Sequence, residues 1–295
     1  MTLVPGLLGV VALSAAAVAA TAGFVLFRRV RGAVFDAEGV PIHYTDEGSG
    51  VPVLLVHGFA VHADLNWRRP GCVRALRRRG YRVVRLDVRG HGLSGKPHDP
   101  AAYGIHLCDD IVRLMDHLGI EKAFIAGYSM GGFIVLKTVE RHPSRLLGAV
   151  IGAAGWDELD DDKRALFREI VAAIEERGVF DPITHWLDPG KKAGRIQCAL
   201  ANFFMGVIND KAAIVNVFRT FEALVVSEEA LRNNTVPALT LVGARDGIRE
   251  ASDKLPGVMA RHELVHLPGT DHVTTMLHPQ FMRRMIAFFE ANAPG

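Results

Sequence analysis

Cysteine is scarce in this 295-residue chain. Cys72, Cys108 and Cys198 are odd in number, far apart and without any CxxC pair, which excludes a readable disulfide framework or zinc knuckle and makes a reducing compartment the default. Charge of one sign is equally lacking: 34 Lys and Arg stand against 32 Asp and Glu, a formal net charge of +2. No dense basic tract with interleaved aromatics is read, so the electrostatic footprint of a phosphate backbone is missing and no nucleic-acid partner is expected. There is no internal repeat and no linker rich in Pro or Ser. With 49% hydrophobic and 22% charged residues, the chain is not a disordered or low-complexity polypeptide. Its length suffices for one large domain or two smaller ones.

A further absence is local. No charged side chain occurs from Thr2 to Phe27, after which Arg28, Arg29 and Arg31 arrive together. About 20 apolar residues cross the hydrocarbon core of a bilayer as a helix, and Leu7 to Leu26 supply that length in Leu, Val, Ala and Gly. Residues 7–27 therefore predict a single-span membrane anchor. The arginines stay in the cytoplasm, which leaves the amino terminus outside and residues 28–295 on the cytoplasmic face. A cleaved secretory signal is the competing reading, with Ala17-Val18-Ala19 or Ala20-Thr21-Ala22 as small-residue cleavage sites and a secreted or periplasmic product. Against it, the amino-terminal side lacks the basic residues such a signal carries.

Beyond the arginines, period-2 stretches around Ala33 to Asp36 and Ile42 to Asp46, joined by Glu38-Gly39, read as a β-hairpin. Apolar runs then alternate with longer helical patterns. Val53 to Val56, Arg82 to Val88, Ala123 to Gly127, Leu147 to Gly152, Leu239 to Gly243 and Glu263 to Leu267 read as buried parallel strands. Cys72 to Arg79, Leu107 to Leu118, Gly132 to Arg141 and Pro279 to Asn292 have helical spacing. The order βαβα predicts an α/β fold, a sheet wrapped by helices on both faces. From Trp156 to Asn234 the strands stop, and helical patterns at Arg164 to Arg177, Arg195 to Met205 and Lys211 to Val226 predict an inserted cap. Its expected inner faces offer Phe203, Phe204, Met205, Phe218, Phe221 and Leu224. The organisation is thus 1–31 anchor and basic flank, 32–155 core, 156–234 helical cap, 235–295 core.

Gly127-Tyr128-Ser129-Met130-Gly131-Gly132 follows a strand and opens a helix. GxSxG alone turns up by chance in on the order of one in ten chains of this length, so the strand, sharp turn and helix around it carry the weight. Small neighbours two residues either side leave room for a serine at strained backbone angles. Its hydroxyl then sits at a helix amino terminus, where NH groups point outward. Serine is a poor nucleophile at its own pKa and needs a base and an orienting acid. Downstream, Asp246 lies just past the strand Leu239 to Gly243, at the strand end where ligands meet in such sheets. His272 follows the last strand in a loop. The other histidines considered differ: His57 and His91 sit in turns beside glycines, His266 lies within a strand and His278 precedes Pro279. Asp157, after the sixth strand, is the alternative acid. Asp271 is expected at the surface, poorly set to orient its neighbour's ring.

The chain resembles the α/β-hydrolases, on His57-Gly58-Phe59 after the third strand, Asp87-Val88-Arg89-Gly90-His91-Gly92-Leu93-Ser94 after the fourth, and the segments 127–132, 243–246 and 269–272. The likeness covers residues 33–155 and 235–292. It implies the α/β-hydrolase fold with a mostly parallel eight-stranded sheet, Ser129 as nucleophile, Asp246 as acid and His272 as base. It also implies an oxyanion hole from the backbone NH groups of Met130 and Phe59. Asp246 departs from many relatives in lacking a proline a few residues on.

The expected chemistry is two-step acyl transfer without metal or organic cofactor, on a small-molecule or lipid ester of the monoacylglycerol or lysophospholipid type. Perhydrolases, acyltransferases, thioesterases, carbon–carbon bond hydrolases and ligand-sensing proteins share the constellation, and fold alone does not choose among them.

Overall fold

The computed structural model describes residues 30–187 and 195–294. Gly32–Gly295 form one compact unit built on a single eight-stranded sheet. The strands are β1 (Ala33–Ala37), β2 (Val40–Glu47), β3 (Pro52–Val56), β4 (Arg82–Leu86), β5 (Ala123–Tyr128), β6 (Leu146–Gly152), β7 (Ala238–Gly243) and β8 (His262–Leu267). Their order across the sheet is β1-β2-β4-β3-β5-β6-β7-β8. β2 runs antiparallel to both its neighbours, and every other adjacent pair is parallel. The expected hairpin is there, turned by Glu38 and Gly39, both with positive φ.

β5 and β7 are buried at every position, which is why their sequences read as unbroken apolar runs: helices cover both faces. Alternate residues serve different layers. Leu54, Val56, Ile125 and Ile151 face one apolar cluster with α2 (His106–His117) and α3 (Met130–Arg141). Val53, Leu55, Phe124 and Val150 face the other, with α1 (Cys72–Arg78) and α11 (Pro279–Ala291). The chain leaves β3 toward β4 on one side and returns to β5 on the other. The carboxyl ends of β3 and β5 therefore flank the crevice where strand order reverses, the usual ligand position in open α/β sheets.

Between β6 and β7 lie α4 (Asp161–Ala172), a π-helical turn (Ala173–Arg177), α5 (Asp181–Leu187), α6 (Arg195–Ile208), α7 (Lys211–Arg219), a 3-10 turn (Phe221–Leu224) and α8 (Glu228–Arg232). Asp160, Asp210 and Ser227 cap α4, α7 and α8 by accepting from the NH of Lys163, Ala213 and Ala230, so the polar residues opening each helical pattern act as start signals. The long pattern predicted to Val226 breaks at Thr220. α5 was not foreseen, being too short to show a period. Of the expected inward-facing residues, Phe218, Phe221 and Leu224 are buried, and the Phe218 and Phe221 rings stack at 5.2 Å. Phe203 and Phe204 are instead 63% and 36% exposed, while Met205 is half-buried against the core. α9 (Arg249–Asp253) and α10 (Leu255–Val258) complete the list between β7 and β8.

The apolar segment 7–27 and its two cleavage sites lie outside the described residues. Among the described residues no helix is long and apolar enough to cross a membrane.

Candidate active site

The turn between β5 and α3 is shaped by what the chain cannot fit there. A Cβ on Gly127 would lie 2.0 Å from the carbonyl oxygen of Gly131, and one on Gly131 would lie 2.3 Å from that of Val56. These contacts are backbone to backbone and cannot yield, so only glycine lets β5, α3 and β3 approach this closely. Ser129 between them has φ 54° and ψ −119°, a conformation that costs an L-residue on the order of 1–3 kcal/mol and is held by its surroundings. Its NH donates to the Gly152 carbonyl at 2.8 Å, and its carbonyl accepts from the Gly132 NH at 2.7 Å. Both ends of the strained residue are thereby fixed, and the hydroxyl projects beyond the sheet.

Two residues from other strand ends meet it. His272, after β8, approaches with Nε2 2.9 Å from Ser129 Oγ. Asp246, after β7, lies opposite, its Oδ1 and Oδ2 3.0 and 3.1 Å from His272 Nδ1. A carboxylate can only accept, so Nδ1 carries the proton and Nε2 is left to accept from the serine hydroxyl. Asp246 Oδ1 also accepts from the Ile248 NH at 3.0 Å, so the loop orients the acid without the proline many relatives carry. The three residues named from the sequence are thus brought into one hydrogen-bonded chain, with Asp246 and His272 buried.

Asp157 is elsewhere. It pairs with Lys254 at 2.5 Å and Lys163 at 3.1 Å. Burial would raise its carboxyl, but the two lysines outweigh this and hold it below the usual range. Asp271 is buried, not exposed as expected. Its Oδ1 accepts from the Val273 NH at 3.2 Å, the Thr274 NH at 3.0 Å and the Thr274 hydroxyl at 2.7 Å, capping the turn that carries His272.

Phe59 follows Gly58, whose Cβ position is 3.5 Å from Ser129 Cβ. The loop after β3 therefore runs alongside the nucleophile candidate. Met130 is the first residue of α3, so its NH has no partner within the helix. Among the described residues neither the Phe59 nor the Met130 NH has a hydrogen-bond acceptor. Two free donors beside a hydroxyl are what a developing oxyanion needs.

The supports of this arrangement were not foreseen. Tyr128, one residue before the serine, donates from its hydroxyl to the His272 carbonyl at 2.6 Å, spanning 144 positions of sequence. Burial, and after it the Asp246 charge, raises its pKa and keeps it a donor. Asn66 accepts from the Gly58 NH at 2.8 Å and donates to the Met276 sulfur, tying the Phe59 loop to the His272 loop. His57 and His91 accept at Nε2 from the NH groups of Val88 and Ala60. Tyr128 lies within the glycine-framed segment 127–132, the one sequence signal available for it; Asn66 carried none.

A cavity of about 220 Å³ is lined by Phe133, Trp156, Phe167, Trp186, Phe221 and Ile248, among others. Its described walls reach Phe133, one helical turn past Ser129, and Ile248, two residues past Asp246, but include neither Ser129 nor His272.

The family model described as alpha/beta hydrolase fold matches residues 51–172. The AB hydrolase superfamily protein YisY of Bacillus subtilis is 32% identical over 265 residues, covering 85% of this chain and 96% of its own. Bifunctional epoxide hydrolase 2 of Sus scrofa is 28% identical over 174 residues, 59% of this chain but only 30% of that longer enzyme. A solved carboxylesterase structure from Nitrososphaera gargenis superposes with a TM-score of 0.73 at 20% identity, over 88% of this chain and 98% of its own; a likeness at that identity speaks for the fold.

Proposed function

Because the chain belongs to the α/β-hydrolase superfamily, we propose that it is a serine hydrolase of carboxylic esters. The observation that carries this reading is the continuous relay from Asp246 through His272 to Ser129 beside two unpartnered NH groups. His272 Nε2 takes the serine proton as Oγ attacks the ester carbonyl. The NH groups of Met130 and Phe59 hold the resulting oxyanion, each such donor being worth about 3 kcal/mol in mutational tests. The alcohol leaves with the proton from His272. Water, activated by the same imidazole, then hydrolyses the acyl-enzyme. A carboxylate at this turn would have suited epoxide opening through an alkyl-enzyme; the hydroxyl of Ser129 suits acyl transfer.

The substrate class follows from apolar surface. The aromatic cavity beside Phe133 and Ile248 favours esters with an apolar group. Residues 7–27, read as an anchor, would concentrate lipid-like esters at the site. Residues 156–234 act as the cap over it.

Ser129→Ala is the decisive variant. Turnover of a short p-nitrophenyl ester should fall by roughly 10⁴-fold or more, and labelling by a fluorophosphonate should vanish, with the circular dichroism unchanged. Wild-type protein that labels rapidly but turns over neither short nor lipid esters would overturn the hydrolase reading in favour of a ligand sensor.

A further inference from the structure

Between Leu65 and Leu86 the chain carries eight arginines and no Asp or Glu. This run corrects the reading that the sequence has no dense basic tract; the near-neutral total conceals it, since the remaining residues hold 26 basic against 32 acidic side chains. The fold neutralises the inward members of the run: Arg85 is buried between Glu47 and Asp64, and Arg82 pairs with Asp46. It leaves the others outside. Arg74, Arg77 and Arg78 stand at i, i+3 and i+4 on α1, all exposed. With Gly48, Ser49 and Gly80 they line an open groove of about 340 Å³. Arg77 has Glu47 at 3.1 Å and Arg79 has Glu290 at 2.6 Å, but among the described residues Arg68, Arg74 and Arg78 have no ion-pair partner. Like charges at that helical spacing repel, so an anion set against Arg74 and Arg78 would relieve that repulsion.

We propose that this arginine face docks on the anionic phosphate headgroups of a bilayer. A lipid surface is favoured over another polyanion by the chain itself. The uncharged run Thr2–Phe27 ending in Arg28, Arg29 and Arg31 has the composition of a bilayer segment, and a domain tethered by it meets the headgroup layer continuously. There each arginine adds several-fold to the attraction. The groove lining holds no aromatic side chain, which a platform for unstacked bases would need.

The inference leans on the proposed anchor, so the test separates the two. The full chain is reconstituted with neutral phosphatidylcholine vesicles and with vesicles containing roughly 30 mol% phosphatidylglycerol. Flotation with the neutral vesicles reports the apolar segment alone. Modification of arginines by phenylglyoxal, read peptide by peptide by mass spectrometry, reports the face. Arg74 and Arg78 should react at least about fivefold more slowly on the anionic vesicles, with protection lost in about 0.5 M salt and Arg219 unaffected throughout. A chain that floats only with anionic vesicles but shows this footprint overturns the anchor and supports the face. Equal reaction rates on the two vesicle types overturn the proposal. Equal protection by duplex DNA added to the neutral vesicles does so too, and would make the face a nucleic-acid surface.

Discussion

Ser129 is held in a backbone conformation it would not choose, and Tyr128 beside it links that strained turn to the His272 loop. The tyrosine hydroxyl fastens the His272 carbonyl at 2.6 Å, so the loop bearing the imidazole is registered against the strand bearing the hydroxyl. Tyr128→Phe keeps the buried ring and removes the donor, leaving a buried carbonyl unsatisfied at a cost of about 1–3 kcal/mol. The imidazole should then sample orientations unsuited to accepting the serine proton. kcat for a p-nitrophenyl ester should drop roughly tenfold with KM little changed. An unaltered kcat alongside a lowered melting temperature would reduce Tyr128 to a packing residue.

The elements meet at that turn with no spare volume. α3 lies against β3 through Gly131, where an added methyl would sit 2.3 Å from the Val56 carbonyl. Gly131→Ala must therefore displace the helix start, including the Met130 NH. We expect destabilisation of about 3 kcal/mol by chemical denaturation and loss of fluorophosphonate labelling under native conditions. Gly257→Ala, in α10 with open space around its Cβ position, is the matched control and should change neither. The helices between β6 and β7 are joined to the core by the Phe133, Phe167, Phe218 and Phe221 ring cluster, which makes them a packed layer on it.

Stability of the molecule as a whole should depend on one buried imidazole, His91, and one half-buried imidazole, His262. Burial, reinforced by the nearby His57, pushes His91 down to about 3, and burial alone pushes His262 down to about 4. Both lie below the unfolded value near 6.5, so the unfolded chain binds more protons as the pH falls. Their contribution is whole above about pH 6.5 and is lost between there and pH 3 to 4. Urea midpoints should accordingly fall from pH 7.5 to pH 5, and less steeply for His262→Gln. A midpoint that holds level over that interval would show that both rings protonate freely in the folded state. Asp87 does not enter this window. Burial would raise it, but the His43 hydrogen bond, His57 and the NH groups of Leu93 and Ala63 hold it far below the usual carboxylate range.

Strand alternation, the glycine-framed serine and the order Ser129, Asp246, His272 were legible along the chain, because each depends on local chemistry: apolar period, absence of a Cβ, position after a strand. Which carboxylate lies against His272 was not settled by that reading. Asp157 and Asp246 both follow strands, and only the folded chain set one against the imidazole and the other against two lysines. Tyr128 and Asn66 were hidden for the same reason, since their partners lie 144 and 210 positions away. The exposure of Phe203 and the burial of Asp271 likewise followed from packing. Periodicity tells that a residue has an apolar or polar side; which neighbour that side meets is decided by contacts between segments distant in the chain.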